Sequence, residues 1–160
     1  MEVAIIIGSD SDWKVMSKAA EVLREFGLDA EITVASAHRT PEKVRDFVKN
    51  SSAKVFIAAA GMAAHLAGVV ASFTTRPVIG VPMSSEPFRG LDALLSTVQM
   101  PGGVPVATMA VNGAKNAALF AVEILALSDK NLEKKLSDYR AKMAAEVEEK
   151  SKLVTGGNFS

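Results

Sequence analysis

The chain has 160 residues and a mass of 16.8 kDa, the length of one domain able to remove roughly 70% of its unfolded surface from water. Hydrophobic residues make up 49% and charged residues 22%, which excludes a disordered chain, a collagen-like repeat and a coiled-coil rod. Its 18 basic residues balance 18 acidic ones, so there is no overall positive field to hold nucleic acid, and the lack of Cys excludes disulfides, thiolate catalysis and cysteine-held metals.

In chain order, short β-branched runs alternate with longer helical patterns, the signature of βαβ units around a parallel sheet. The start carries Glu2 in place of a basic region and only five apolar residues before Gly8, so it does not read as a signal peptide. Strands are predicted at about 2–7, 29–35, 54–59, 77–81 and 104–109, and helices at about 12–26, 41–50, 62–73, 90–98 and 113–127. Gly27 closes the first helix, and Thr40-Pro41 opens the second with a capping oxygen followed by proline at the first helical position. Residues 55–73 are uncharged, but Gly61, His65, Gly68 and Ser72 divide them into strand, turn and helix instead of a membrane span.

Only seven of the 76 residues at 53–128 carry charge, and the helices predicted at 62–73 and 114–127 are apolar nearly all round. A lone domain does not bury such helices on one sheet, so the pattern predicts a homo-oligomer. From 129 to 152, 13 of 24 residues are charged around a stripe of Leu132, Leu136, Tyr139 and Met143, which predicts an amphipathic C-terminal helix. The whole reads as a single domain over 1–160, with a core at 1–128, the charged helix at 129–152 and a flexible tail at 153–160.

The chemistry gathers at predicted strand ends, where parallel sheets bind ligands and helix amino termini offer N–H groups to anions. The first strand runs into Gly8-Ser9-Asp10-Ser11-Asp12-Trp13, whose Ser9 and Ser11 hydroxyls suit one small phosphate; the glycine spacing of dinucleotide or triphosphate loops is missing. Asp12 repels a phosphate and pairs better with sugar hydroxyls, while the same residues also serve as a helix cap. The second strand runs into Ser36-Ala37-His38-Arg39-Thr40-Pro41. Arg39 offers a planar fork for phosphate, Ser36 and Thr40 assist or cap, and His38 is the side chain suited to pass a proton twice per turnover.

After the third strand, Gly61, Ala63 and Leu66 belong to a run of small and apolar residues whose main-chain N–H groups approach a planar ring or a carboxylate. His65 in that run reads equally as a ligand and as a packed or interface residue. An aspartate, as a phospho-accepting receiver requires, is absent here, and two histidines 27 residues apart give no metal signature. Residues 82–105, punctuated by Gly90, Pro101, Gly102 and Gly103, read as a rim or lid, or as a plain connection.

Taken together, Gly8-Ser9-Asp10-Ser11-Asp12-Trp13, Ser36-Ala37-His38-Arg39-Thr40-Pro41, Ala63-Ala64-His65-Leu66, Pro77-Val78-Ile79-Gly80-Val81-Pro82 and Val98-Gln99-Met100-Pro101-Gly102-Gly103-Val104-Pro105-Val106 resemble, in order, the class I N5-carboxyaminoimidazole ribonucleotide mutases of purine biosynthesis. The resemblance implies a flavodoxin-like three-layer α/β/α sandwich with a five-stranded parallel sheet and an extra C-terminal helix. It further implies a cytoplasmic homo-octamer with sites shared between subunits, acting on a ribonucleotide without metal or organic cofactor and without nucleic-acid or membrane partners. By motif match Ser9, Ser36 and Arg39 hold the phosphate, with Ser11 beside them; Asp12 holds the ribose; Gly61, Ala63, His65 and Leu66 line the substrate; and His38 moves the proton. A carbon-dioxide-dependent carboxylase of the same fold and a non-catalytic sugar-phosphate sensor are the competing readings. Ala59 and Met62 stand where the family has Gly, and Ala67 where it has Pro; a side chain at 62 opposes a positive φ or narrows the carbon dioxide pocket.

Overall fold

The computed structural model describes residues 1–155. β1 (Val3–Ile7) is buried at all five positions, as a strand must be when helices cover both faces of its sheet. It pairs in parallel with β2 (Ala30–Val34) on one side and β3 (Val55–Gly61) on the other. β4 (Val78–Met83) and β5 (Ala107–Thr108) follow, giving a five-stranded parallel sheet in the order β2-β1-β3-β4-β5. This is the expected flavodoxin-like sheet. The chain steps out from β1 to β2, then returns across β1 to β3, and that reversal opens a crevice beyond the carboxyl ends of these strands.

The strand period of two sorts the core into two layers. Val3, Ile5 and Ile7 face α1 (Trp13–Glu25) and α5 (Ala114–Ala126), meeting Met16, Leu23, Ala118 and Val122. Ala4 and Ile6 face the opposite way, toward α2 (Pro41–Asn50) and α3 (Leu66–Ser72), with Val44, Val48, Phe56 and Val70. α4 (Leu91–Val98) packs on β4 beside α3. It comes so near that a Cβ on Gly80 would stand 2.4 Å from Thr97 Cγ2.

Four expectations are corrected. The third helix starts at Leu66 and not at 62, because residues 62–65 turn away from the strand through Met62 at φ 55°. β5 shrinks to two residues: Pro105, lacking an N–H, stands just before it, and only Ala107 and Thr108 pair with β4. The helix expected at 114–127, read as apolar nearly all round and beyond what one sheet can bury, has a second cover within the chain. α6 (Lys130–Thr155) lies along α5, and Leu132, Leu136 and Tyr139 join the core there. Residues 153–155, expected as tail, are helical, and 156–160 lie outside the described residues. One run of exposed apolar surface lies on α4, where Leu91, Leu95 and Val98 are 56%, 51% and 47% exposed.

At the amino end of the sheet Arg76 ties strands to helix. Its guanidinium donates to the carbonyls of Val48, Ser51 and Ala53 at 2.7, 2.8 and 2.6 Å and lies over the Phe56 ring, 4.5 Å from its centroid. No helix among the described residues is long and apolar enough to cross a membrane.

Candidate active site at the strand tips

Three strand tips come together at the crevice. Gly8 N–H donates to Ala59 O at 2.9 Å and Ala35 N–H to Ile7 O at 2.9 Å, so the β1 tip is gripped by those of β3 and β2. The β1 tip then forms a turn of 3-10 helix over Asp10–Asp12, leading straight into α1. Ser9 begins it with reciprocal capping: its Oγ accepts from Ser11 N–H at 3.4 Å, and its N–H donates to Asp12 Oδ2 at 3.2 Å. Ser11 Oγ donates to Ser9 Oγ at 2.9 Å, which places the two hydroxyls side by side. The capping and ligand-binding readings of this loop are therefore compatible. Burial is the main reason the Asp12 carboxyl is held above its ordinary value; the Ser9 N–H opposes this and Asp10 adds to it.

The β2 tip is locked by its own side chains. Thr40 is the N-cap residue of α2 with Pro41 following, as the Thr-Pro pair suggested, but its Oγ1 makes no capping bond and turns back to accept from Ser36 N–H at 2.9 Å and to donate to Ser36 O at 3.2 Å. Ser36 Oγ accepts from Arg39 N–H at 3.2 Å. This small cage presents His38 and Arg39 outward, both exposed. Arg39 Nη2 donates to Gly8 O at 3.1 Å, which brings the guanidinium to the Ser9–Ser11 loop and leaves its other donors for an anion.

The decisive contact joins two loops that flank β1. His38 Nε2 lies 2.9 Å from His65 Nδ1, with the rings edge to face and their centroids 5.0 Å apart. One nitrogen donates and the other accepts, so the bond uses a single proton. His65 is exposed and precedes the first turn of α3, and is thus neither packed nor helical. Ala63 is exposed beside it, Gly61 ends β3, and Leu66, expected to line the substrate, is buried in the core. The structure thus gathers Ser9, Ser11, Asp12, Ser36, His38, Arg39 and His65 at one rim. Among the described residues no three His, Asp or Glu side chains cluster as a metal site.

A family model described as AIR carboxylase matches residues 2–146. The chain belongs to that family. It is 59% identical to the N5-carboxyaminoimidazole ribonucleotide mutase of Methanocaldococcus jannaschii over 145 residues, covering 91% of this chain and 92% of that one. It is 53% identical to the protein of the same name from Thermotoga maritima, covering 93% and 89%. The crystal structure of Treponema denticola PurE superposes with a TM-score of 0.84 at 34% identity, covering 92% of this chain and 94% of that one.

Against the AIR carboxylase pattern the departure at Met62 has a visible consequence. Met62 adopts the left-handed φ of 55° that suits glycine, with its side chain 61% exposed, so the turn is kept and the strain is borne by the backbone. Two features were not anticipated from sequence: the locking role of Thr40 and the direct pairing of the histidines. Residues 27 positions apart carry no local sign of contact; the crossover that sets β2 and β3 on either side of β1 creates it.

Proposed function

We propose that this AIR carboxylase family member is an isomerase that converts N5-carboxyaminoimidazole ribonucleotide to 4-carboxyaminoimidazole ribonucleotide in purine biosynthesis. The observation that carries the reading is His38, hydrogen-bonded to His65, standing next to the anion grip of Arg39 and Ser9. High identity to enzymes bearing the mutase name supports it. So does Ala63-Ala64-His65-Leu66, which favours the mutase over the carboxylase that uses free carbon dioxide.

Ser9, Ser11, Ser36 and Arg39 hold the 5′-phosphate with charge-assisted hydrogen bonds, and Asp12 accepts from the ribose hydroxyls. The base then extends toward residues 61–66. Protonated His38 gives its proton to the exocyclic nitrogen. The carbamate C–N bond breaks with its electron pair remaining on nitrogen, releasing carbon dioxide and a neutral aminoimidazole. The nucleophilic ring carbon attacks that carbon dioxide, and the proton displaced from the carbon returns to His38, which ends as it began. His65 orients the imidazole between the two transfers.

Carbon dioxide must be recaptured before it escapes, so the working site is enclosed. In one chain His38 and His65 face open space, while the apolar stripe of α4 borders the groove that contains His65, Gly68, Leu95 and Met100. Further copies of the chain covering that stripe, in a homo-octamer, supply the roof; a light-scattering mass of one chain contradicts this. A charged ribonucleotide does not cross membranes unaided, which places the enzyme with its substrate in the cytoplasm.

The test is a spectroscopic assay of purified protein with the N5-carboxylated nucleotide, and separately with aminoimidazole ribonucleotide plus bicarbonate. The mutase reading predicts rapid turnover of the first and poor turnover of the second. Equal or reversed rates identify a carboxylase, and binding without turnover a sensor.

A further inference from the structure

The loop after β4 has no part in the account so far, yet it holds a buried hydroxyl that the protein leaves unused. Ser85 Oγ is shielded from solvent and has no hydrogen-bond partner. Leaving a buried hydroxyl unpaired costs about 1–3 kcal/mol, so folding alone does not account for a serine there.

The backbone around it is firmly held. Ser84 N–H donates to Asn112 Oδ1 at 2.9 Å, and Asn112 N–H donates to Pro82 O at 2.9 Å, with Asn112 at φ 59° to make both bonds. On the other side, Ser84 Cα stands 3.2 Å from where a Cβ on Gly90 would be. The neighbouring charges, Glu86 and Arg89, are exposed and face each other. The hydroxyl is thus the one polar group that this loop turns inward.

It lies beside the tip of β3. Gly61 is in register with Met83, and Ser85 Oγ lies 3.5 Å from the position of a Cβ on Gly61, the residue that leads into the His65 loop. The phosphate grip lies at the β1 and β2 tips. β4 is two strands beyond β1, a separation of about 10 Å at ordinary strand spacing. That is comparable to the length of a ribonucleotide from phosphate to base, so a substrate anchored at Arg39 brings its base to the β3 and β4 tips.

We infer that Ser85 is a substrate-contacting residue whose hydroxyl donates a hydrogen bond to the carboxylate end of the base, and to the carbon dioxide oxygen while that group is free. This rests on the mutase reading and extends it to a fourth strand tip. Ser85 takes no proton and makes no bond; it holds the travelling group on the side away from the phosphate.

The experiment compares wild type, Ser85→Ala and Ser85→Cys. For Ser85→Ala we expect an unchanged or slightly raised melting temperature and inhibition by ribose 5-phosphate within twofold of wild type. We expect kcat/KM for the N5-carboxylated nucleotide to fall about tenfold, the factor that corresponds to one hydrogen bond of about 1.4 kcal/mol. A larger share of substrate should end as free aminoimidazole ribonucleotide, because carbon dioxide escapes more often, and Ser85→Cys should recover part of the loss. Wild-type rates and product partition in Ser85→Ala overturn the inference, as does unfolding of both variants, which makes the residue structural. If the wild type itself does not interconvert the nucleotides, the functional reading has failed, and that result is separate from the Ser85 comparison.

Discussion

Each end of the sheet carries an arginine, and the two are used in opposite ways. Arg76 at the amino end directs its guanidinium donors to three main-chain carbonyls and to Thr74 Oγ1, and lies over Phe56. Arg39 at the carboxyl end makes one side-chain bond, to Gly8 O, and is otherwise exposed. The same side chain is a brace where its donors are satisfied within the fold and a ligand grip where they are left over. The surroundings follow suit. At the amino end the arginine's donors are taken up by main-chain carbonyls, whereas the carboxyl end holds a left-handed Met62, two exposed histidines and a carboxyl shifted by burial.

The largest effect expected of any change at the carboxyl end is on turnover. His38→Asn should lower kcat by about 100- to 10,000-fold, the range for a positioned acid-base group, while product affinity and melting temperature stay near wild type. Near-normal kcat would break the account of that end. The arginines form a matched pair. Arg76→Ala should cost about 2–3 kcal/mol in denaturant unfolding, since it removes charge-assisted bonds from buried carbonyls, with KM little changed. Arg39→Ala should raise KM about 10- to 100-fold with stability within about 0.5 kcal/mol of wild type, because a positioned phosphate contact is lost and only one exposed internal bond, to Gly8 O, goes with it. If the two outcomes are interchanged, the contrast between the ends is wrong.

Smaller effects sharpen the same contrast. Met62→Gly should stabilise the protein by about 0.5–1 kcal/mol, the relief of a left-handed non-glycine residue less the chain entropy that glycine adds. Urea midpoints measure it, and a loss of stability would mean that the exposed Met62 side chain packs usefully. Asp12→Asn addresses the shifted carboxyl. Folded protein keeps the Asp12 proton over a range just above the ordinary 3.8 where the unfolded chain has released it, so its contribution to stability falls as pH rises through that range and stays reduced above it. The variant should therefore melt slightly higher than wild type at neutral pH, with the gain shrinking as the pH drops through the window, and bind ribose more weakly. A neutral-pH melting temperature below that of wild type would contradict the assignment.

Much of this was legible in the sequence because the relevant signals are local. Alternating apolar runs and helical stripes place β1, β2, α1 and α2 within a residue or two, and strand-end loops rich in Ser, Asp, His and Arg identify the crevice. The third helix starts four residues later than its pattern suggests because Met62, Ala63 and Ala64 read as helix formers, and Met62 conceals a position that behaves as glycine. The covering of α5 by α6 leaves no such signal, because a thin stripe of Leu132, Leu136 and Tyr139 does not announce which face it meets. The pairing of His38 with His65 depends on strand order, and Ser85 on the gap between two strand tips, neither of which leaves a periodic trace.

The most direct measurement is a crystal structure with 4-carboxyaminoimidazole ribonucleotide bound. The account predicts the phosphate between the Ser9 and Ser11 hydroxyls and Arg39, the ribose hydroxyls on Asp12, and the base extending to the β3 and β4 tips with His38 in hydrogen-bonding reach. A nucleotide seated instead in the groove of Asn116, Phe120 and Tyr139 between α5 and α6, or one whose base turns away from His38, would contradict it.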